Sequence, residues 1–272
     1  MEVGAEAGKT GFPPGSPWSG EARALLEKAI ARHGGLGAYA AFGIVSFRPR
    51  ELRGLLPKLK GLGKTFQLPP RIDVAPRDHR AVFHDYPTPG RRGLYSNGKV
   101  ALLDDNGAMA ETHAEIRTTF VGRHKLHRWS PADALYFFGY ALTHYCSLPF
   151  SLAEGTPAGP LRHARHDGAA LTGIDVQLPP TLHTHSTRQT FYFDDEGLLR
   201  RHDYVADIVG PWARAAHYSE DYQTVAGVPM ARRRHVLARV ARWPTPVVAL
   251  HAELDIATEP AKSGPTHAPT VT

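Results

Sequence analysis

The chain has 272 residues, of which 42% are hydrophobic, 21% charged and 9% aromatic. This composition is typical of a globular protein and excludes a collagen-like or wholly disordered chain. The single cysteine, Cys146, excludes an internal disulfide framework and a cysteine-rich zinc module. No apolar run reaches the ~18 residues of a membrane span, and the first residues lack the basic and apolar regions of a signal peptide. The sequence therefore predicts a cytoplasmic protein without a membrane span.

The formal net charge is +6, from 32 Lys and Arg against 26 Asp and Glu. The basic residues form short clusters, such as the run from Arg232 to Arg234, and most of these clusters lie inside strand-like segments. No nucleic-acid-binding motif surrounds them, and scattered arginines are typical of a solvated face. We therefore expect no nucleic-acid partner.

Both ends of the chain are rich in Gly, Pro and other small residues and lack periodicity. They predict a disordered N-terminal tail over residues 1–18 and a disordered C-terminal tail over residues 259–272. Between them, residues 19–258 are predicted to form a single ligand-binding domain.

The domain begins with a predicted helix. Ser19 is positioned as its N-cap, apolar residues recur at helical spacing as far as Ile30, and the Gly34-Gly35 pair stops it. From Phe42 to about residue 113, short strand-like segments alternate with turn residues. The intervals are too short for crossover helices, so this region predicts an antiparallel meander.

A second predicted helix follows the meander. Ser130 is its N-cap, Pro131 occupies the first helical position, and Pro149 ends it. Apolar and aromatic residues surround most of its circumference, which predicts a buried helix. Residues 151–168 read as a Gly/Pro-rich loop, and four or five more strands are predicted after that loop.

The order of these elements predicts an α+β fold: a strongly curved antiparallel β-sheet, or open half-barrel, wrapped around two or more helices with an apolar cavity. This layout resembles the lipoprotein-carrier (LolA/LppX-type) half-barrel. That fold is shared by periplasmic lipoprotein carriers, mycobacterial lipid-binding lipoproteins and a cytoplasmic enzyme of the violacein pathway. The resemblance covers roughly residues 24–258 and implies the binding of a lipid or another apolar ligand.

Three segments also resemble those of an uncharacterised bacterial protein family. They are YFFGYA at residues 136–141 with PF at 149–150, THS and QTFYFD within residues 184–194, and GLLRRHDY at residues 197–204. This resemblance implies a shared structure and no catalytic assignment.

The segment from His183 to Ile208 predicts a β-hairpin in which Phe193 faces Leu198 and Phe191 faces Arg200. Because side chains alternate between the faces of a strand, one face collects the large apolar groups, and we assign it to the concave side. The candidate residues on that face are His183, His185, Gln189, Phe191, Phe193, Arg200, His202 and Tyr204.

A mostly apolar surface with a few convergent polar groups is typical of a small-molecule site. We predict His202 as a general acid/base, Tyr204 and Arg200 as stabilisers of developing negative charge, and Gln189 as the residue that orients the imidazole. In the competing interpretation these groups are buried and only satisfy one another's hydrogen bonds. The predicted substrate-binding residues are His183, His185, Phe191, Phe193, Tyr140 and Tyr145.

Metal and cofactor motifs are absent from the sequence. His183 and His185 share one strand face, but the predicted register puts His202 ~13 Å from His185, too far for one metal ion with bonds of ~2 Å. There is no HExxH or CxxC motif, no Gly-rich phosphate loop and no GxSxG elbow. A third metal ligand from elsewhere, such as His84 or His217, and redox chemistry through a flavin stay open, but the sequence predicts neither a metal nor a cofactor.

Two functions fit these features. The first is a cofactor-independent enzyme that acts on a hydrophobic small molecule by proton transfer, cyclisation or isomerisation. The alternative is a non-catalytic carrier or sensor of a lipid or other apolar ligand. The predicted partner is that ligand, and because a curved sheet leaves exposed edges, a homodimer is also considered.

Overall fold

The computed structural model describes residues 12, 15–62 and 68–257. The described helices are α1 (Gly20–Arg32), α2 (Gly35–Ala41), α3 (Leu55–Lys60), α4 (Ile116–Thr119) and α5 (Pro131–Ser147). The strands are β1 (Val45–Arg53), β2 (Arg71–Ala75), β3 (Arg80–His84), β4 (Arg92–Ser96), β5 (Lys99–Leu103), β6 (Met109–His113), β7 (Thr156–Pro157), β8 (Arg162–His166), β9 (Ala169–Gln177), β10 (Arg188–Phe193), β11 (Leu199–Val205), β12 (Arg214–Val225), β13 (Val228–Val240) and β14 (Trp243–Ile256).

The described strands form one antiparallel sheet. Its spatial order is β6-β5-β4-β3-β2-β1-β14-β13-β12-β11-β10-β9-β7, and β8 pairs with the other part of β9. β1 pairs with β14, so strands from opposite ends of the described chain lie at the centre of the sheet. β6 and β7 lie at opposite edges, and the sheet is therefore open. The predicted antiparallel, unclosed sheet with few helices is confirmed.

The N-terminal helix begins after Ser19, as the sequence predicts, and a short helix that was not predicted, α2, begins at the second glycine of the pair. Trp18, which the sequence assigned to the N-terminal tail, is only 1% exposed, and its indole Nε1 donates a hydrogen bond to the Gly155 carbonyl at 2.8 Å. The packed part of the chain therefore includes Trp18. Residues 1–11 and 13–14 of the predicted N-terminal tail, and the whole predicted C-terminal tail, lie outside the described residues.

The buried helix α5 has the predicted boundaries and N-cap. The Ser130 hydroxyl accepts a hydrogen bond from the Asp133 amide, and the Asp133 carboxylate accepts one from the Ser130 amide, which forms a capping box. Nearly every residue of α5 is buried. The helix packs against β2 to β5, while the rings of His144 and Tyr145 near its C-terminal end lie against rings from β11 and β12. α5 thus contacts both halves of the sheet.

Two predictions about the second half of the chain are wrong. Eight described strands follow α5 rather than four or five, and two of them, β7 and β8, lie in the predicted loop over residues 151–168. β8 and β9 form a hairpin that turns at Asp167 and Gly168, both with positive φ. The Asp-Gly pair is a hairpin signal, but the high Gly and Pro content of the surrounding residues obscured it.

The predicted register of the β10–β11 hairpin is also wrong. Phe191 lies opposite His202 rather than Arg200, a shift of two residues that leaves Phe191 and His202 on their predicted face. A bulge at Arg200 then realigns Phe193 with Leu199. The cause is the turn, in which Asp194 Oδ1 accepts hydrogen bonds from the amides of Glu196 and Leu198 and lengthens the connection.

No helix in the described part of the chain is long and apolar enough to cross a membrane. The cytoplasmic location and the homodimer stay predictions.

Candidate functional site

An apolar cavity of about 150 Å³ lies between α3, α5 and the strands β1 to β3 and β11 to β14. Its walls consist mainly of aliphatic and aromatic side chains contributed by every one of these elements. They include Leu52, Leu56, Phe137, Leu142, Val236 and Leu254. A cavity of this size in an apolar setting accommodates a molecule as large as benzene.

The cavity reaches the surface through an apolar rim, which we call the mouth. The mouth comprises Leu55 and Leu59 of α3, Leu68 and Trp212, all of which line the cavity and are exposed. Trp212 is 55% exposed. Grouped large apolar side chains at a protein surface mark sites of ligand or partner binding. The mouth therefore provides an apolar route into the cavity.

Polar side chains line the inner part of the cavity. They are Tyr145 from α5, Tyr204 from β11, His217 from β12 and Arg234 from β13. The three strands are neighbours in the sheet, and alternation along each strand turns these side chains toward the helix. The site therefore combines a large apolar wall with a small polar end.

Arg234 supplies a buried positive charge at this polar end. Arg234 is only 8% exposed. Its guanidinium lies 4.3 Å from the centre of the Tyr145 ring, and its Nη1 donates a hydrogen bond to the Ser219 hydroxyl at 3.3 Å. Its Nε has no hydrogen-bond partner among the described residues, and no described carboxylate forms an ion pair with it.

Four buried histidines surround the tyrosines: His144, His185, His202 and His217. The rings of His202 and His217, directly paired on β11 and β12, have centres 4.5 Å apart. Burial lowers the pKa of all four imidazoles, that of His144 to about 3. The Arg234 charge lowers the pKa of His144, His202 and His217 further. These imidazoles are neutral at pH 7.

His185 is fully hydrogen-bonded, whereas the other three imidazoles are not. Its Nδ1 lies 3.1 Å from the Tyr140 hydroxyl and its Nε2 lies 2.7 Å from the Tyr145 hydroxyl. Its ring also stacks on Tyr204 with centres 3.9 Å apart. By contrast, neither ring nitrogen of His144, His202 or His217 has a hydrogen-bond partner among the described residues.

Of the ten predicted site residues, Tyr145 and Tyr204 line the cavity. His202 is completely buried beside their rings, and Phe191 stacks on it with centres 5.6 Å apart. Phe193 is part of the core, and Tyr140 is held by His185. These residues form one cluster, but only Tyr145 and Tyr204 of this cluster are among the described residues that line the cavity.

The other three predicted site residues have hydrogen-bond partners outside this cluster. Because of the bulge, Arg200 pairs with Asp194 at 2.7 Å instead of facing the concave side. Gln189 donates to the Ser186 carbonyl at 2.8 Å and not to His202. His183 Nδ1 lies 2.9 Å from the hydroxyl of Tyr136, in the N-terminal half of α5.

The predicted distance between His185 and His202 is wrong. Their ring centres are 6.4 Å apart. β10 begins only at Arg188, so His185 is not part of the strand as predicted, and its ring lies over that of Tyr204.

One described group brings three potential metal ligands within 4.8 Å of one another: Glu51, His251 and Glu253. Arg53 Nε lies 2.6 Å from Glu51 Oε1, so the Arg53 guanidinium already forms an ion pair with that carboxylate.

Sequence reasoning missed Arg234, which it assigned with its neighbours to a solvated face. The signal was the alternation of side chains along β13. Met230, Arg234 and Val236 lie on one face of the strand, and all three are buried. The Arg-Arg-Arg run hid this alternation. Arg233, on the other face, pairs with Glu220 at 2.8 Å.

No protein-family model matches the chain, and no curated protein matches it either. Its structure is similar to that of a LolA superfamily protein from Nitrosomonas europaea, with 11% identity, a TM-score of 0.46 and coverage of 88% of this chain and 92% of that chain. A DUF1329 family protein from Desulfovibrio piger gives 11% identity and a TM-score of 0.41, with coverage of 86% and 90%. Lipoprotein LppX from Mycobacterium tuberculosis gives 14% identity and a TM-score of 0.29, with coverage of 88% and 97%. Both fold groups named from the sequence, LolA and LppX, are thus among the matches.

Proposed function

We propose that this protein binds a hydrophobic small molecule between α5 and the sheet, as a carrier or sensor. The observation that carries the proposal is the cavity of about 150 Å³ with aliphatic and aromatic walls and an apolar mouth. Transfer of apolar surface from water into such a site is favourable by ~0.8 kcal/mol per methylene. The open sheet wraps around α5 in this proposal, and the space left beside the helix holds the ligand.

Binding accounts for the site with fewer requirements than catalysis. The enzyme hypothesis needs a proton-transferring group in contact with the ligand, and His202 was its candidate. His202 is not among the described lining residues, and its burial holds the pKa of the imidazole well below its usual range. An imidazolium that could act as a general acid near neutral pH is therefore not favoured there. Carrier or sensor function requires only the cavity.

The test uses 1-octanol, an uncharged ligand with one flexible apolar chain, in isothermal titration calorimetry at several temperatures. We expect one binding site with a dissociation constant on the order of 1 mM or lower, and a negative heat-capacity change from apolar burial. Absence of saturable binding of 1-octanol and of its shorter and longer homologues would overturn the proposal.

A cavity-filling variant locates the binding. Ala252 lines the cavity, so Ala252→Phe should weaken 1-octanol binding roughly tenfold or more by occupying the same space. Ala170→Phe is the matched control, because Ala170 is exposed on β9 and should leave binding unchanged. Circular dichroism of both variants checks folding. Equal binding by the two variants would place the ligand elsewhere.

A further inference from the structure

The strongest unassigned feature of the molecule is the charge of Arg234. It is a buried guanidinium that lines the cavity, with an unpartnered Nε and no described carboxylate paired to it. Buried charges in proteins are normally paired, because removal from water disfavours them strongly. The Tyr145 ring and the Ser219 hydroxyl stabilise the charge in part, but neither is an anion.

The neighbouring titratable groups do not supply the missing anion. Burial raises the pKa of the Tyr145 hydroxyl and that of the Cys146 thiol, each to about 12, so both stay protonated at neutral pH. Burial also raises the pKa of Tyr204 well above its usual value. Glu51 is the carboxylate among the described lining residues, and it is paired with Arg53 at 2.6 Å.

Other buried arginines show that this chain supplies counter-ions where the structure needs them. The Arg201 side chain is 5% exposed and makes two hydrogen bonds with Asp203, at 2.7 and 2.8 Å. Arg239 is paired with the same carboxylate. Arg234 differs from both because it opens onto a cavity.

We propose that the ligand is an amphiphile with a carboxylate head, and that Arg234 binds this carboxylate while the chain occupies the apolar walls and the mouth. The proposal rests on the proposed function, which requires only apolar binding. A guanidinium presents parallel N–H donors that match a carboxylate. A single positive charge balances a monoanion, whereas a dianionic phosphate would leave a buried negative charge unpaired. The four neutral imidazoles contribute no further positive charge.

The test compares octanoate with 1-octanol, which have equal chain lengths and differ in the head group. Titrations at pH 8 keep octanoate ionised and the four buried imidazoles around the cavity neutral. The wild-type protein should bind octanoate at least as tightly as 1-octanol, although water holds the carboxylate far more strongly. Arg234→Met should weaken octanoate binding roughly 30-fold and change 1-octanol binding by less than about threefold.

A matched control uses the second arginine of the cavity lining. Arg214 is exposed, so Arg214→Met should leave octanoate binding within about threefold of the wild type, because an exposed charge contributes little. If Arg214→Met and not Arg234→Met removes octanoate binding, the assignment to Arg234 is overturned. Arg234→Lys is a second variant; it keeps the charge but not the paired donors, and should retain part of the affinity.

The outcomes separate this proposal from the proposed function. Binding of 1-octanol together with much weaker binding of octanoate to the wild type would overturn the carboxylate head and leave the apolar site intact. Failure of both ligands to bind the wild type would overturn the proposed function itself. Retained 1-octanol binding by Arg234→Met shows that the variant is folded, so selective loss of octanoate supports the proposal.

Discussion

The two faces of the sheet treat buried arginines in opposite ways. On the face turned away from α5, Arg201 and Arg239 share the carboxylate of Asp203, which is itself 2% exposed. On the face turned toward α5, Arg234 is paired with no described carboxylate. Both arrangements lie within the neighbouring strands β11 to β13, because Arg201 and Asp203 belong to β11 and both Arg234 and Arg239 belong to β13.

The difference distinguishes a charge that holds the fold from a charge that is available to a ligand. A guanidinium paired inside the protein is satisfied without any other molecule, so removal of its partner should destabilise the fold. A guanidinium that faces a cavity without a partner raises the free energy of the empty protein. Removal of that charge should therefore cost the fold little. The first and the third of the following three predictions test this contrast, and the second concerns the buried histidines beside Arg234.

The largest effect is expected for Asp203→Asn. This variant keeps the shape of the side chain but leaves the buried Arg201 and the 14% exposed Arg239 without a counter-ion, which should lower the free energy of unfolding by about 3–5 kcal/mol. Urea denaturation monitored by tryptophan fluorescence measures it. Asp195→Asn, at an exposed position of the β10–β11 turn, is the control and should change stability by less than about 0.5 kcal/mol. Similar stabilities of the two variants would show that the carboxylate is not needed.

The second effect is a pH dependence produced by the buried histidines. Burial holds the pKa of His202 well below its usual value, so the folded protein keeps the ring neutral while the unfolded chain binds a proton below pH ~6.5. Its contribution to stability is therefore fully present above pH 6.5 and is lost as the pH falls, at ~1.4 kcal/mol per pH unit.

His202→Phe tests this dependence, because a phenyl ring has a similar shape and does not titrate. Between pH 6.5 and pH 5, the wild type should lose about 2 kcal/mol more stability than the variant. His144, His185 and His217 produce the same trend in both proteins, so the comparison of the two urea-denaturation series isolates His202. Stabilities that fall in parallel with pH would mean that His202 binds a proton as readily in the folded protein as in the unfolded chain.

The smallest effect on stability is expected for Arg234→Met in the absence of ligand. Loss of an unpaired buried charge and retention of an apolar chain should leave the free energy of unfolding unchanged or raise it by up to ~1 kcal/mol. Arg239→Met is the matched comparison and should lower stability, because it removes one of the two partners of Asp203. Equal destabilisation by both variants would remove the distinction between the two faces.

The elements that depend on local signals were predictable from the sequence. α5 follows from its N-cap serine and flanking prolines, and the β4–β5 hairpin follows from Asn97-Gly98, both of which have positive φ. The predicted faces of the residues before the bulge, such as Phe191 and His202, were also correct, because a two-residue shift preserves alternation.

The cavity and its charge were not predictable in the same way. Its walls combine β1 to β3, α3, α5 and β11 to β14, and no local pattern records how these distant segments meet. The bulge at Arg200 depends on hydrogen bonds made by Asp194 in the turn, which period-two reasoning does not include. Arg234 could have been placed on the inner face by alternation, but its lack of a counter-ion depends on which strands are its neighbours.

The pairing of β1 with β14 has a consequence for how the protein folds. Strands from both ends of the described chain form one wall of the cavity, so this wall exists only after the last strand has joined the first. Pairing of strands so distant in sequence is slow, since a long loop must close before any contact compensates for the lost entropy. During synthesis, the apolar walls contributed by earlier segments are exposed until β14 emerges, which makes this interval the one most sensitive to aggregation.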